Sequence, residues 1–248
     1  MITLKNVSFS YPNSEPVLNR FDLHIEKSEK VGLVGCNGAG KSTLLSLICG
    51  IHLPEEGTIR IDDTMLKKET LPEIRKKVGL VFQNPDDQLF MPNILEDVAF
   101  GPKNYGMQEK EAKAKAMETL KRMEIASLAE RPPYRLSGGE KRSAAIATVL
   151  AMDPSVILFD EPSAFLDPRA ARNFEKTVIQ LPVTYIIASH DLDLSRRTCT
   201  RVLIMKKGVV LADGKPNQLL NDEKLLADVN LELPESYRRC RECPYRKR

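Results

Sequence analysis

Between Gly35 and Ser42 the sequence reads GCNGAGKS, which fits the template G-x-x-x-x-G-K-[ST]. The apolar run Val31 to Val34 precedes it and the helix-compatible stretch Thr43 to Cys49 follows, so the loop has the strand, turn and helix context that the template needs. Its glycines let successive backbone N–H groups turn inward toward phosphate oxygens, while Lys41 adds a mobile cation and Ser42 a hydroxyl suited to magnesium. A helix starting at the end of the loop places its partial positive charge at the same spot. The chemistry indicated is binding of a phosphorylated ligand.

Two further segments bear on the same chemistry. Val156-Ile157-Leu158-Phe159-Asp160 is a short unbroken apolar run ending in a carboxylate, as expected of a buried parallel strand that delivers an acid to the edge carrying the phosphate loop. Asp160 is then placed to hold magnesium, and Glu161 to orient or deprotonate a water. Leu136-Ser137-Gly138-Gly139-Glu140 opens a long helix-like run to Ala151 and is a second anion-ready helix start. One phosphate site does not need two.

Together these residues resemble the nucleotide-binding subunit of ABC transporters, over nearly all 248 residues and in the family's order. GCNGAGKS is similar to the Walker A motif, Val156 to Asp160 to Walker B, Glu161 to the catalytic glutamate and LSGGE to the signature motif. Gln83 sits where the Q-loop glutamine lies, Ala164 to Asp167 where the D-loop lies, His190 matches the switch histidine, and Tyr11 stands where the family stacks an aromatic on adenine.

The resemblance implies ATP and Mg2+ as cofactors, with ATP contacts from Tyr11, Asn37, Gly38, Gly40, Lys41, Ser42 and Thr43, and a metal shell of Ser42, Gln83 and Asp160. It further implies that Glu161 aligns the water and that His190 senses the γ-phosphate. The γ-phosphate needs donors on its far side, and in the family Ser137, Gly138 and Gly139 of a second subunit supply them across a head-to-tail dimer. Hydrolysis then removes a charge contact on each side and the closed dimer opens.

Subfamily details point further. Val78 to Phe90, VGLVFQNPDDQLF, looks like the Q-loop region of energy-coupling-factor ATPases, and the segments after LSGGE and around His190 are similar to the cobalt and nickel branch more than to the vitamin branch. The implied partners are a second ATPase subunit (another copy or a paralogue), an integral membrane coupling protein and a substrate-binding membrane component, with the chain at the cytoplasmic face of the membrane. Asp86, Asp87 and exposed-looking Leu89 and Phe90 are the expected docking surface.

Composition narrows the classes that remain. A net charge of +3 with 29% charged residues gives no argument for a nucleic-acid groove. No apolar run approaches the ~20 residues that span a bilayer, and Met1 to Lys5 opens an alternating strand rather than a secretory signal, so the expectation is a cytosolic chain whose membrane path belongs to another polypeptide. A soluble ABC-type ATPase working on nucleic acid or ribosomes would carry a coiled-coil insertion or a second cassette, and a P-loop kinase has no use for LSGGE.

The elements that must position these residues follow from periodicity. Ile2 to Phe9 and Val17 to Ile25 alternate around a turn-rich stretch and read as an antiparallel hairpin layer. Val31 to Val34, Val78 to Phe82, Val156 to Phe159 and Tyr185 to Ala188 read as strands of an α/β sheet buried on both faces, with a late hairpin hinged at Lys207-Gly208. Glu109 to Met123 predicts a helix in an inserted helical subdomain from about Asn93 to Glu140. The fold class is thus α/β, a P-loop NTPase core of mostly parallel sheet with an antiparallel layer and an inserted helical subdomain, all in one ATPase domain. The stretch from about residue 214 to 248 is expected to be a helical, basic tail in which Cys240-x-x-Cys243 has half the ligands of a zinc site, against the alternative of reduced thiols.

Overall fold

The computed structural model describes residues 1–164 and 166–237. Among the described residues, ten strands divide between two sheets. The first has the order β2-β1-β4-β5, built from β1 (Ile2–Ser10), β2 (Pro16–Ile25), β4 (Glu56–Ile61) and β5 (Thr64–Met65), all antiparallel. The second has the order β10-β9-β3-β8-β7-β6, from β3 (Lys30–Val34), β6 (Val78–Val81), β7 (Val156–Asp160), β8 (Thr184–Ser189), β9 (Arg201–Lys206) and β10 (Val209–Gly214). Its strands run parallel except β10, which turns back from β9 through Lys207 and Gly208, both at positive φ.

The first sheet is larger than the expected hairpin. β4 and β5 join it because Ile59 and Ile61 alternate with Thr58 and Arg60 and drop into the core beside Ile2 and Leu4, all four apolar side chains at most 1% exposed. Strands β3, β7 and β8 are mostly apolar and buried along almost their whole length because both faces are covered. Burial of each such Leu, Ile or Val contributes about 2 kcal/mol before the entropy of ordering is charged against it.

Nine helices are present among the described residues: α1 (Lys41–Ile48), α2 (Leu71–Lys77), α3 (Ile94–Asn104), α4 (Glu109–Arg122), α5 (Gly138–Leu150), α6 (Pro168–Ile179), α7 (Leu192–Thr198), α8 (Pro216–Leu219) and α9 (Glu223–Asp228). α3 starts at Asn93, whose side chain accepts from Glu96 N, and α4 runs through helix-favouring Ala, Lys, Glu and Met until Met123. Both pack on α5 through a small-residue core of Ala99, Ala112, Ala116, Ala144 and Ala147. The segment after α9 lies against α7: Ser236 N–H donates to Asp193 Oδ2 at 3.1 Å, and Arg196 sits over the Tyr237 ring. Cys240 and Cys243 lie outside the described residues.

Candidate functional site

The carboxyl ends of β3, β7 and β8 lie side by side, where open α/β sheets collect ligands. β3 ends at Val34 and the loop that follows approaches β9 so closely that a Cβ on Gly35 would stand 2.5 Å from the Met205 carbonyl oxygen. Gly40, at φ 99°, is the N-cap of α1 in the left-handed region and provides no side-chain cap, which leaves the first N–H groups of the helix without a capping partner. Lys41, only 6% exposed, turns back into the loop, its Nζ donating to Gly35 O at 2.6 Å and Cys36 O at 3.3 Å.

From this base the other groups are within reach. Ser42 Oγ donates to Asp160 Oδ1 at 3.0 Å. Adjacent corners of an octahedron with bonds of ~2.1 Å are about 3.0 Å apart, so this pair of hard oxygens suits a small divalent cation. Burial raises the Asp160 pKa above its ordinary value and Glu161 adds to the rise, while the Ser42 bond and Lys41 oppose it. A bound cation would hold the carboxylate ionised against that burial.

Glu161 is buried and sits at φ 42°, a left-handed conformation that costs a non-glycine residue about 1 kcal/mol. The strain is held by Glu161 N–H donating to Ala188 O at 2.8 Å and by contacts to the carboxylate. Its Oε2 accepts from Ser189 Oγ at 3.2 Å and from His190 N–H at 3.3 Å, and lies 2.8 Å from His190 Nδ1; its Oε1 is 3.7 Å from Lys41 Nζ. The carboxylate therefore joins the ends of β7 and β8 to the phosphate loop. The Tyr11 hydroxyl lies 3.2 Å from Thr43 Oγ1, and its ring stands edge-on to Phe9 and His52, which puts an aromatic beside the start of α1.

Gln83 follows β6 in an exposed position, and its main chain is gripped from α5. Arg142, 2% exposed, donates through Nη1 to Phe82 O and through Nη2 to Gln83 O, both at 2.6 Å. Gln88 accepts from Phe82 N–H at 3.1 Å and donates to Ala145 O at 2.8 Å and Thr148 Oγ1 at 2.7 Å, while Lys141 pairs with Asp86 at 2.6 Å. Burial lowers the Arg142 pKa to about 10, which leaves it charged at neutral pH. Motif reading passed over Arg142 and Gln88. The available signal was a charge on a core stripe, since Arg142 stands three, four and seven residues before the buried Ala145, Ile146 and Val149.

Ser137, Gly138 and Gly139 stand apart from this cluster. Ser137 is the N-cap of α5 in a capping box: Glu140 N–H donates to Ser137 Oγ at 3.3 Å, and Ser137 N–H and Oγ each donate to Glu140 Oε2 at 2.8 Å. Gly139 faces α6, where a Cβ would meet Ala170 Cβ at 2.7 Å. Among the described residues no hydrogen bond or ion pair links these three to the phosphate loop. The expected docking surface needs one correction: Leu89 is 5% exposed, packed with Ile94, Val98 and Ala147, so of its two apolar residues Phe90 alone, at 63%, faces outward beside the exposed Asp86 and Asp87. The Pro85–Asp87 turn rolls the chain so that the first of the two apolar residues enters the helical core.

Residues 18–164 match the family model for the ABC transporter. The chain belongs to the ABC transporter family. An energy-coupling factor transporter ATP-binding protein of Methanocaldococcus jannaschii is 42% identical, with 94% of this chain and 86% of that protein covered. A second, from Methanothermobacter thermautotrophicus, is 40% identical, covering 95% and 78%. Among solved structures, CbiO1 from Clostridium perfringens, part of the ABC transporter complex CbiONQ, superposes with a TM-score of 0.82 at 33% identity, covering 97% of this chain and 98% of that one. A dimeric ATP-binding cassette in a post-hydrolysis state with ADP and Pi gives a TM-score of 0.77 at 32% identity, covering 87% and 99%. This ABC ATPase is thus an ATP-binding and ATP-hydrolysing subunit of energy-coupling-factor type.

Proposed function

We propose that this ABC ATPase binds Mg2+-ATP on its phosphate loop, closes head-to-tail on a second ATPase subunit, and so drives uptake of cobalt or nickel ions by a membrane complex. The observation that carries the reading is the convergence of Lys41, Ser42, Asp160, Glu161 and His190 on one sheet edge, each within 3.7 Å of another of the set. Lys41 and the N–H groups of Asn37 to Thr43 hold phosphates, with Tyr11 against the base. Ser42, Asp160 and Gln83 provide oxygen ligands for the cation, which supplies charge neutralisation on the phosphates.

Glu161 is the base and aligner of the water. Its carboxylate already has Lys41 and three donors around it, so it stays oriented, and His190 at its far oxygen connects it to the γ-phosphate position. Ser137, Gly138 and Gly139 serve the other subunit's nucleotide, consistent with their separation from this chain's own loop.

No helix among the described residues is long and apolar enough to cross a membrane. The membrane-facing surface in this reading is Phe90 stacked edge-on with Phe100, centroids 4.9 Å apart, flanked by the Lys141–Asp86 pair, a ledge for an apolar helix of the coupling protein. The likeness to CbiO1, part of the ABC transporter complex CbiONQ, supports work within a membrane complex, and the sequence resemblance after LSGGE and around His190 supports cobalt or nickel as cargo. The relatives named for the energy-coupling factor carry no cargo in their names, and vitamin uptake, the other branch of that group, is the second reading.

The test is Glu161→Gln. Turnover falls by about 1,000-fold while ATP-dependent dimerisation, read by size-exclusion chromatography, persists; wild-type turnover in this variant rejects the assignment. For the cargo, cells whose only copy is Glu161→Gln lose uptake of radiolabelled cobalt or nickel, and retained metal uptake with lost vitamin uptake selects the second reading.

A further inference from the structure

The ladder between β6 and β7 stops at Val81–Phe159, so strand pairing no longer holds the backbone of Phe82 and Gln83. Side chains tied to α5 take over: the Phe82 N–H goes to Gln88, and the Phe82 and Gln83 carbonyls go to Arg142. Gln88 is in turn anchored on Ala145 and Thr148 one and two turns further along the same helix. Lys141 to Asp86 makes a third tie on the solvent side. The helix that receives all three begins at Ser137 and Gly138, where the proposed contact to the opposite nucleotide is made.

We infer that Arg142 and Gln88 are positioning residues that make the signature helix and the Gln83 loop a single moving part, so that nucleotide in one site of the dimer sets the place of Gln83 in the other. This rests on the proposed roles of Gln83 and of Ser137 to Gly139. A planar guanidinium bridging two successive carbonyls fixes both the distance and the twist of that peptide against the helix, which a single ammonium cannot do. The Gln88 carboxamide blocks the remaining rotation from the N–H side. A displacement of the first turn of α5 therefore moves Gln83 as a rigid body instead of being absorbed by the loop.

The experiment uses purified full-length protein and three readouts: turnover per folded molecule, KM for ATP, and the Hill coefficient for ATP. In Arg142→Met, similar in volume and without donors, turnover falls about tenfold or more with KM within about threefold, as expected of a misplaced group and not of lost ATP binding. The Hill coefficient falls to about one, the value of two sites that no longer communicate. Arg142→Lys recovers part of the turnover. Gln88→Leu, which removes no buried charge, gives the same pattern more weakly and serves where Arg142→Met does not fold.

Wild-type turnover per folded molecule in Arg142→Met or Gln88→Leu, with only a lower Tm, reduces both residues to structural ties and overturns the inference. So does a Hill coefficient of one in the wild type. Failure of the underlying reading is separately visible: Gln83→Ala with wild-type turnover removes the target of the clamp, whereas ATP-dependent dimerisation of Arg142→Met in the Glu161→Gln background shows the two nucleotide-facing surfaces still at work.

Discussion

Helices α1 and α5 both begin at glycine-rich turns, and their first turns are finished in different ways. α1 starts from a left-handed glycine with no side-chain cap, no acidic residue in its first turn, and a buried lysine folded into the loop before it. α5 starts from a serine whose hydroxyl already accepts from the helix, with the Glu140 carboxylate bonded back over the same turn. The first leaves its donors free for an anion and brings its own cation. The second has its Ser137 and Glu140 N–H groups bonded internally and carries a negative charge, so it is better satisfied by itself and a weaker anion site. The contrast fits a chain that grips nucleotide firmly at one end and offers a releasable contact at the other.

The largest expected break comes at α1. Lys41→Ala removes the cation and leaves Glu161 buried without its neighbour, and turnover drops to below about 1% of wild type with ATP binding lost in parallel. Wild-type ATP affinity in this variant, by filter binding, would show that the uncapped helix start alone holds the phosphates.

A smaller effect is expected at α5. Ser137→Ala removes a cap and costs about 1 kcal/mol, read as a lower Tm, together with weaker ATP-driven dimerisation and unchanged ATP binding by the monomer. A weaker monomer affinity would place Ser137 in its own chain's site and erase the distinction.

The smallest is Glu140→Gln. Glutamine keeps the capping box but drops the charge, so dimerisation in ATP strengthens a few-fold, in line with ~0.3–1 kcal/mol for a charge at a helix start. The Ser137 N–H first, and then its hydroxyl, hold the Glu140 carboxyl below the usual glutamate value. Its stabilisation is therefore fully present above that usual value and disappears as pH falls through the lower folded one. The Tm difference between wild type and Glu140→Gln is accordingly constant near neutrality and changes only below about pH 4.

Much of this was legible before any tertiary information. The strand, loop and helix around Lys41 were readable because the loop's chemistry is local: glycines, lysine and serine lie within eight residues and their N–H groups are aimed by backbone torsions alone. The central strands were readable because burial on both faces leaves unbroken apolar runs. β4 and β5 were passed over, since a six-residue strand with only Ile59 and Ile61 pointing inward carries too short a period to stand out. Leu89 was misjudged for a related reason: the Pro85–Asp87 turn resets the direction of the chain, and no pattern of Leu-Phe says which of the two turns inward.

The sequence by itself determined which residues carry charge and hydroxyls at the phosphate loop, that a carboxylate pair ends one buried strand, and that a second helix start waits for an anion. Only the tertiary structure decided that Glu161 meets Lys41, Ser189 and His190, because that depends on β8 lying between β3 and β7, an order that no local propensity encodes. It likewise decided that Arg142 reaches back some sixty residues to hold Phe82 and Gln83. Contacts of that span are chosen by how sheets and helices pack to bury their apolar faces, and the polar groups caught between them find the partners that packing brings near.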